Sequence, residues 1–93
     1  MSMREEKRRE IYSNMKKKGR IFRAHNRWGI SYAHLYVAIQ ESGYSEYGVI
    51  SNIIGGMIDE GYIRPARNVW GKTLGKDGKS SYSGNYIIEK WIS

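Results

Sequence analysis

Adjacent apolar residues recur every four positions between Val49 and Ile58, and this pattern constrains the fold more than any other feature of the sequence. The pairs are Val49–Ile50, Ile53–Ile54 and Met57–Ile58. A four-residue repeat gathers apolar side chains on one side of an α-helix, whereas the side chains of a strand alternate. Ser45 is a suitable N-cap and Gly61 a suitable stop, so we predict a helix from Ser45 to Glu60.

A second helical pattern precedes this helix. Its apolar residues at spacings of three and four are Tyr32, Leu35, Tyr36 and Ile39. Ser31 can cap the start of this helix and Gly43 can end it. A short glycine-containing turn, residues 42–45, then joins two amphipathic helices, which is the helix-turn-helix arrangement.

The pattern changes after Gly61, where β-branched and aromatic residues become frequent. Residues 62–74 and 81–92 predict two strands, and the Asp-Gly pair between them is a strong signal for a β-hairpin turn. Pro65 has no backbone N–H to donate to a neighbouring strand, so its strand should lie at a sheet edge or contain a bulge there. The carboxyl-terminal part of the chain therefore predicts a hairpin.

The amino-terminal part has helix-forming composition between Arg4 and Lys18 but contains few apolar residues. Ile11, Tyr12 and Met15 form a narrow apolar stripe, so we expect a solvated basic helix with limited docking. Beyond it, residues 21–22 predict a very short strand or a hydrophobic clip, and residues 24–29 predict a loop.

A chain of 93 residues holds one domain, and without cysteine it has neither disulfides nor thiolate metal sites. We predict a basic helix or arm at residues 1–20 and a domain at residues 21–93. The charged amino terminus, and the lack of any apolar stretch of about 18 residues, predict a cytoplasmic protein with no membrane span.

The net charge of +7 is distributed unevenly. Residues 1–27 contain ten Lys or Arg and three Glu, whereas residues 28–63 contain four acids and no Lys or Arg. Cations of the amino-terminal segment therefore form a candidate face for a polyanionic partner. The residues of this basic face are Arg8, Arg9, Lys16, Lys17, Lys18 and Arg20.

The stretch from Val49 to Ile63, with its apolar pairs, Gly61 and the following strand signal, resembles the winged helix-turn-helix superfamily, including MarR-like and PadR-like regulators. The resemblance covers residues 31–92. It implies an α+β fold of three helices and a carboxyl-terminal β-hairpin wing. It also implies binding of duplex DNA, as a transcriptional regulator or a DNA-associated accessory factor, by a homodimer that covers two half-sites.

In that superfamily the second helix of the motif enters the major groove and the wing lies along the backbone or in the minor groove. By position, the resemblance assigns base or phosphate contacts to Tyr47, Ser51 and Asn52, of which Asn52 could pair with adenine. The wing contributes cations that would follow phosphates. They are Lys72, Lys76 and Lys79, with Arg64 and Arg67 at the base of the wing.

One departure from the superfamily pattern is that the predicted recognition helix has no Arg or Lys. Arg to guanine is the commonest specific contact, so the sequence favours DNA binding more than base recognition. Two alternatives stay open. The chain could be a protein-binding winged helix that acts on polymerase, replication or defence machinery through its acidic middle, or it could bind RNA or single strands through Trp70 and Tyr82.

Other motifs favour ordinary structural roles. Residues 66–73 match a relaxed phosphate-loop pattern, but a predicted turn follows them where a phosphate loop would open a helix. His25 and His34 lack further ligands at metal spacing. We therefore expect no enzymatic activity, no metal and no cofactor. The Gly55-Gly56 pair within the helix favours a kink or a tight helix crossing over close approach of DNA or a partner.

Overall fold

The computed structural model describes residues 5–24, 26–66 and 84–92, which form three helices and a four-stranded antiparallel sheet, an α+β arrangement. The helices are α1 (Glu5–Met15), α2 (Tyr32–Glu41) and α3 (Tyr47–Asp59). The strands are β1 (Ile21–Ala24), β2 (Arg27–Ser31), β3 (Ile63–Pro65) and β4 (Asn85–Ile88). Their order across the sheet is β1-β2-β4-β3, and every neighbouring pair is antiparallel.

The two helices of the predicted helix-turn-helix begin differently. Ser31 caps α2 as predicted, because its Oγ accepts a hydrogen bond from the His34 backbone N–H at 3.2 Å. The prediction of Ser45 as the cap of α3 is wrong. The first helical bond of α3 joins the Ile50 N–H to the Glu46 carbonyl oxygen at 3.0 Å, so Glu46 occupies the cap position and makes no side-chain cap bond.

Gly61 ends α3 and turns the chain into β3, as predicted. Its φ of 80° lies in the left-handed region, which glycine adopts without a Cβ clash. The Gly61 N–H donates to the Ile58 carbonyl oxygen at 3.0 Å, and the Tyr62 N–H donates to that of Met57 at 2.8 Å. These two bonds satisfy carbonyl groups that the helix end leaves free.

Strands β3 and β4 form the antiparallel pair that the hairpin signal predicts, with Ile63 opposite Ile88 and Pro65 opposite Tyr86. β3 is at the edge of the sheet, as Pro65 requires. The predicted Asp77-Gly78 turn lies outside the described residues.

The prediction of a loop over residues 24–29 is wrong, because β1 and β2 form a hairpin there. Ala24 lies opposite Arg27, and Asn26 between them has a φ of 62°, a turn conformation that Asn tolerates. Strand β2 then pairs on its other side with β4, with Ile30 opposite Tyr86. Residues 27–31 lack a strand-like pattern of their own, and two neighbouring strands supply the pairing instead.

The hydrophobic core includes residues from all three helices. Ile11, Tyr12 and Met15 of α1 are each 1% exposed or less, and they belong to the same cluster as Leu35 of α2 and Ile50 of α3. The apolar stripe of α1 is therefore the predicted one, but the expectation of limited docking is wrong. Burial of three large side chains makes α1 part of the core.

Candidate nucleic-acid interface

The outer side of α3 is open to solvent over most of the helix. Ile50, Ile54 and Met57 face the core, whereas Tyr47 is 66% exposed and Asn52 is also exposed. An amphipathic helix usually presents charged side chains to solvent, whereas α3 presents mainly glycine, asparagine and tyrosine there. Asp59 is the one charged residue of α3, so its outer side carries little charge.

The glycines leave parts of the outer side of α3 without side chains. A Cβ placed on Gly48, Gly55 or Gly56 would meet no described atom within 4 Å, other than atoms of adjacent residues and the helix's own backbone. Helix α3 runs without interruption through Gly55 and Gly56, and the expected tight helix crossing is not found among the described residues. No packing contact in the described part of the chain requires these glycines, although each costs about 1 kcal/mol relative to alanine in a helix.

A cluster of four tyrosines lies where α2, α3 and β4 meet. Tyr32 contacts Tyr36 and Tyr86, with ring centroids 5.9 and 6.5 Å apart, and Tyr36 stacks on Tyr47 at 6.3 Å. Burial, and then the nearby Tyr47 and Tyr36, raise the pKa of the Tyr32 phenol above its ordinary value. The exposed Tyr47 carries a phenol O–H that can donate a hydrogen bond to a phosphate oxygen.

The three residues that sequence reasoning assigned to the recognition helix fall on two sides of α3. Tyr47 and Ser51 are four residues apart and share the side toward the tyrosine cluster, where Ser51 is half-buried. Asn52 lies instead beside a groove between α1 and α3. The structure therefore places Tyr47 with Tyr36, and it places Asn52 apart from both.

The groove between α1 and α3 has a volume of about 470 Å³. Its lining is mostly apolar and includes Ile11, Val49 and Ile53, with Arg8 and Asn52 as polar members. Val49 is 39% exposed. Sequence reasoning missed this groove, although adjacent apolar pairs cover a wider arc of a helix than one core face needs.

Three of the six cations predicted to form the basic face make ion pairs with acids of other elements. Arg8 donates to the Tyr62 hydroxyl at 3.0 Å and forms an ion pair with Glu60. Lys17 and Arg20 both bind Glu41, at 3.0 and 2.8 Å. Hydrogen bonds from Arg20 and then Lys17 lower the pKa of the Glu41 carboxyl to about 2. These three cations therefore share two carboxylates of the same chain, Glu60 and Glu41.

The other three cations of the predicted basic face have looser surroundings. Arg9 lies 3.8 Å from Glu5 in an exposed ion pair, and Lys16 lies over the ring of Trp91. Lys18 is exposed and makes no ion pair with the described residues. These side chains remain available to an anionic partner.

The cations predicted at the wing lie mostly outside the described residues. Arg67, Lys72, Lys76 and Lys79 all do. Arg64 is on β3, where its Nε binds the Glu89 carboxylate at 2.5 Å.

Sequence reasoning also missed Tyr32 and Tyr36 as candidate contacts, because their helical spacing assigned them to the core. Both are half-buried. The described residues contain no group of three or more His, Asp or Glu that could hold a metal ion. None of the described helices is long and apolar enough to cross a membrane.

Comparisons with protein-family models, with curated proteins and with solved structures find no match to this chain.

Proposed function

We propose that this chain is a winged-helix protein that binds duplex DNA, as a transcriptional regulator or a DNA-associated accessory factor. The observation that carries the proposal is the open outer side of α3. A Cβ on its glycines would meet no described neighbour, and Tyr47 and Asn52 are both exposed, Tyr47 on the side of the tyrosine cluster and Asn52 on the side of the groove. A helix surface with few side chains and little charge can enter a major groove and bring its backbone close to the base edges.

The order of elements supports the winged-helix part of the proposal. Helices α2 and α3 are joined by a short turn, and the antiparallel pair β3–β4 follows them, which agrees with the arrangement that the resemblance implies. Strand β2 adds to this arrangement, because it pairs with β4 and fixes the base of the wing against α2.

The chemistry of the α2–α3 surface favours contacts to phosphate more than to bases. Hydroxyl groups of Tyr36 and Tyr47 can donate to phosphate oxygens, and Asn52 can pair with an adenine edge. Lys72, Lys76 and Lys79 supply the positive charge that α3 lacks. Arg8, Lys17 and Arg20 have their main role within the fold, through their acidic partners.

The test is the binding of labelled duplexes, measured by fluorescence anisotropy over a range of salt concentrations. We expect affinity to fall steeply as salt rises, and Lys76→Glu with Lys79→Glu to weaken binding to every sequence. The same reversal at Arg9 and Lys18 should weaken binding less. If the two double variants lose the same affinity, the wing has no special role.

Base readout requires a second measurement, a selection of bound duplexes from a random pool. Asn52→Ala should relax a sequence preference while it leaves non-specific affinity close to that of the wild type. If every preference survives in Asn52→Ala, the assigned adenine contact is wrong. If no duplex is retained even at low salt, the proposed function is wrong.

A protein-binding winged helix is the second candidate, and the groove between α1 and α3 is the observation that favours it. An amphipathic helix of a partner could place an apolar residue between Val49 and Ile53. Val49→Ala, which adds no charge to α3, should then weaken capture of that partner and change duplex binding little. Duplex binding without any protein partner in pull-down would remove this candidate.

A further inference from the structure

Two tryptophans and two cations form a continuous row on a part of the molecule that contains no residue of α2 or α3. Lys16 Nζ lies 5.2 Å from the ring centroid of Trp91, and the Trp91 and Trp28 centroids are 6.5 Å apart. Arg23 Cζ then lies 5.2 Å from the Trp28 centroid. We call Lys16, Trp91, Trp28 and Arg23 the tryptophan row.

The tryptophan row is exposed at both ends and in its middle. Lys16 and Arg23 are exposed, Trp28 is half-buried, and Trp91 is 40% exposed, which is high for so large an apolar side chain. The core needs one contact from Trp91, with Tyr12, whose centroid is 5.9 Å away. The exposed part of the Trp91 ring is therefore available to a ligand, beside the Lys16 ammonium group.

The charge of the tryptophan row is positive. Neither Lys16 nor Arg23 makes an ion pair with the described residues, and Lys18 and Arg27 nearby in sequence are also exposed. Cations that lie against aromatic rings, with no carboxylate bound to them, can turn toward an incoming phosphate at little cost.

A recess beside Trp28 adds polar groups to this surface. It has a volume of about 350 Å³, and Asn26 and Glu89 contribute to its lining. The Asn26 side chain is exposed, and an amide can both donate to and accept from the edge of a base.

From these observations we infer that the tryptophan row binds single-stranded nucleic acid, with bases against Trp91 and Trp28 and phosphates on Lys16 and Arg23. Unpaired bases offer free π-faces, whereas the bases of a duplex are already stacked on one another. An acidic peptide would satisfy the cations but leave both tryptophan rings unused. This surface is separate from the α3 surface, so its function does not depend on duplex binding.

The experiment measures the tryptophan fluorescence of the full chain during titration with a thymidine oligonucleotide of about 12 nucleotides, a length within the usual site sizes for single strands. The chain carries Trp70→Phe, so that Trp28 and Trp91 provide the signal. We expect saturable quenching, and we expect Lys16→Gln to weaken binding several-fold. Lys7→Gln is the matched control, because it removes the same charge from the other end of α1 and should leave the affinity unchanged.

A second variant separates stacking from charge. Trp91→Leu keeps an apolar contact with Tyr12 but removes the ring, and it should weaken binding roughly tenfold, in the range for loss of one stacked base. Thermal unfolding of each variant identifies any loss of affinity that comes from an unfolded protein, and Trp91→Phe should restore most of the binding.

Three results would overturn the inference. The first is the absence of saturable binding to the oligonucleotide at low salt. The second is equal weakening by Lys16→Gln and Lys7→Gln, which would mean general electrostatic attraction. The third is tighter binding to vesicles of anionic phospholipid than to the oligonucleotide, which would make the surface one for lipid. Absence of duplex binding by the wild-type chain, with intact quenching by the oligonucleotide, would count against the proposed function alone.

Discussion

Helices α1 and α3 have opposite compositions, and they differ in how fully the rest of the molecule covers them. α1 is rich in charge, yet Ile11 and Met15 are buried and the Tyr12 hydroxyl donates to the Lys90 carbonyl oxygen at 2.7 Å. α3 is the most apolar of the three helices, yet Val49 is 39% exposed and its glycines adjoin open space. The charged helix α1 therefore contacts several other elements, whereas the apolar helix α3 has one side exposed to solvent.

The difference shows that the number of apolar residues in a helix does not predict how firmly it is held. In α1, three apolar residues at helical spacing are buried in the core. Polar side chains of the same helix add hydrogen bonds to other elements. Asn14, for instance, donates to the Ala38 carbonyl oxygen at 3.2 Å and to Ser42 Oγ at 2.9 Å. In α3, the apolar residues beyond the core stripe are covered only in part: Ile53 and Ile58 are half-buried, and Val49 is 39% exposed. Exposed apolar surface beside a helix side with few side chains is typical of a binding surface.

The largest expected effect tests the anchoring of α1. Ile11→Ala should lower the free energy of unfolding by about 2–5 kcal/mol, because Ile11 is 1% exposed and its loss leaves a cavity. Val49→Ala on α3 should change it by roughly 0.5 kcal/mol or less. Urea unfolding followed by circular dichroism measures both. Equal effects of the two variants would contradict the comparison between the helices.

A smaller effect, of opposite sign, tests the free side of α3. Gly55→Ala and Gly56→Ala should each raise the free energy of unfolding by about 0.5–1 kcal/mol, since alanine favours a helix and meets open space there. Both should also weaken duplex binding, because a methyl group then lies on the surface that approaches the DNA.

Gly61→Ala is the matched control for these glycine variants. Gly61 has a φ of 80°, so alanine is strained there and should lower stability by about 1 kcal/mol. Thermal unfolding and duplex anisotropy measure the two properties in the same samples. If Gly55→Ala and Gly56→Ala lower stability as Gly61→Ala does, α3 is packed on its outer side.

The smallest effect concerns the acid sensitivity of the contact between α2 and the segment that follows α1, residues 16–20. The folded pKa of Glu41 is about 2, against an ordinary value of 4.5, because Arg20 and Lys17 bind its carboxylate. Its contribution is therefore complete above pH 4.5 and is lost as the pH falls toward 2. Glu41→Gln should lower stability at neutral pH and reduce its fall over this window.

Glu46→Gln provides the control for that pH dependence, because Glu46 makes no ion pair with the described residues. Its acid-unfolding curve should lie closer to that of the wild type. Urea midpoints measured between pH 2 and pH 6 provide the comparison. A Glu41→Gln curve parallel to that of the wild type would show that the ion pairs of Glu41 contribute nothing to folding.

Local patterns predicted those parts of the fold that depend on neighbours in sequence. Ser31 as a cap, Gly61 as a helix stop and Pro65 as an edge residue follow from short-range chemistry. Strand β2 was missed because its place in the sheet depends on β4, far along the chain. The depth to which α1 is buried also depends on distant partners, which its polar sequence does not indicate.

In the candidate surfaces too, features set within one helix were predictable and contacts between elements were not. Exposure of Tyr47 and Asn52 was predictable, since both fall outside the apolar stripe of α3. The stacking of Tyr36 on Tyr47 and of Lys16 on Trp91 was not, because each pair joins different elements. Spacing within one helix identifies the faces of that helix, whereas tertiary contacts decide which faces meet.

The order of strands in the sheet also affects how the chain is made. β4 lies between β2 and β3, although it follows both of them in the sequence. While a ribosome has released only the first 80 or so residues, β2 and β3 have no common partner and their backbone groups toward β4 stay unpaired. Assembly of the four-stranded sheet therefore waits until β4 has been made, and a chain interrupted before Asn85 would keep two open strand edges exposed to aggregation.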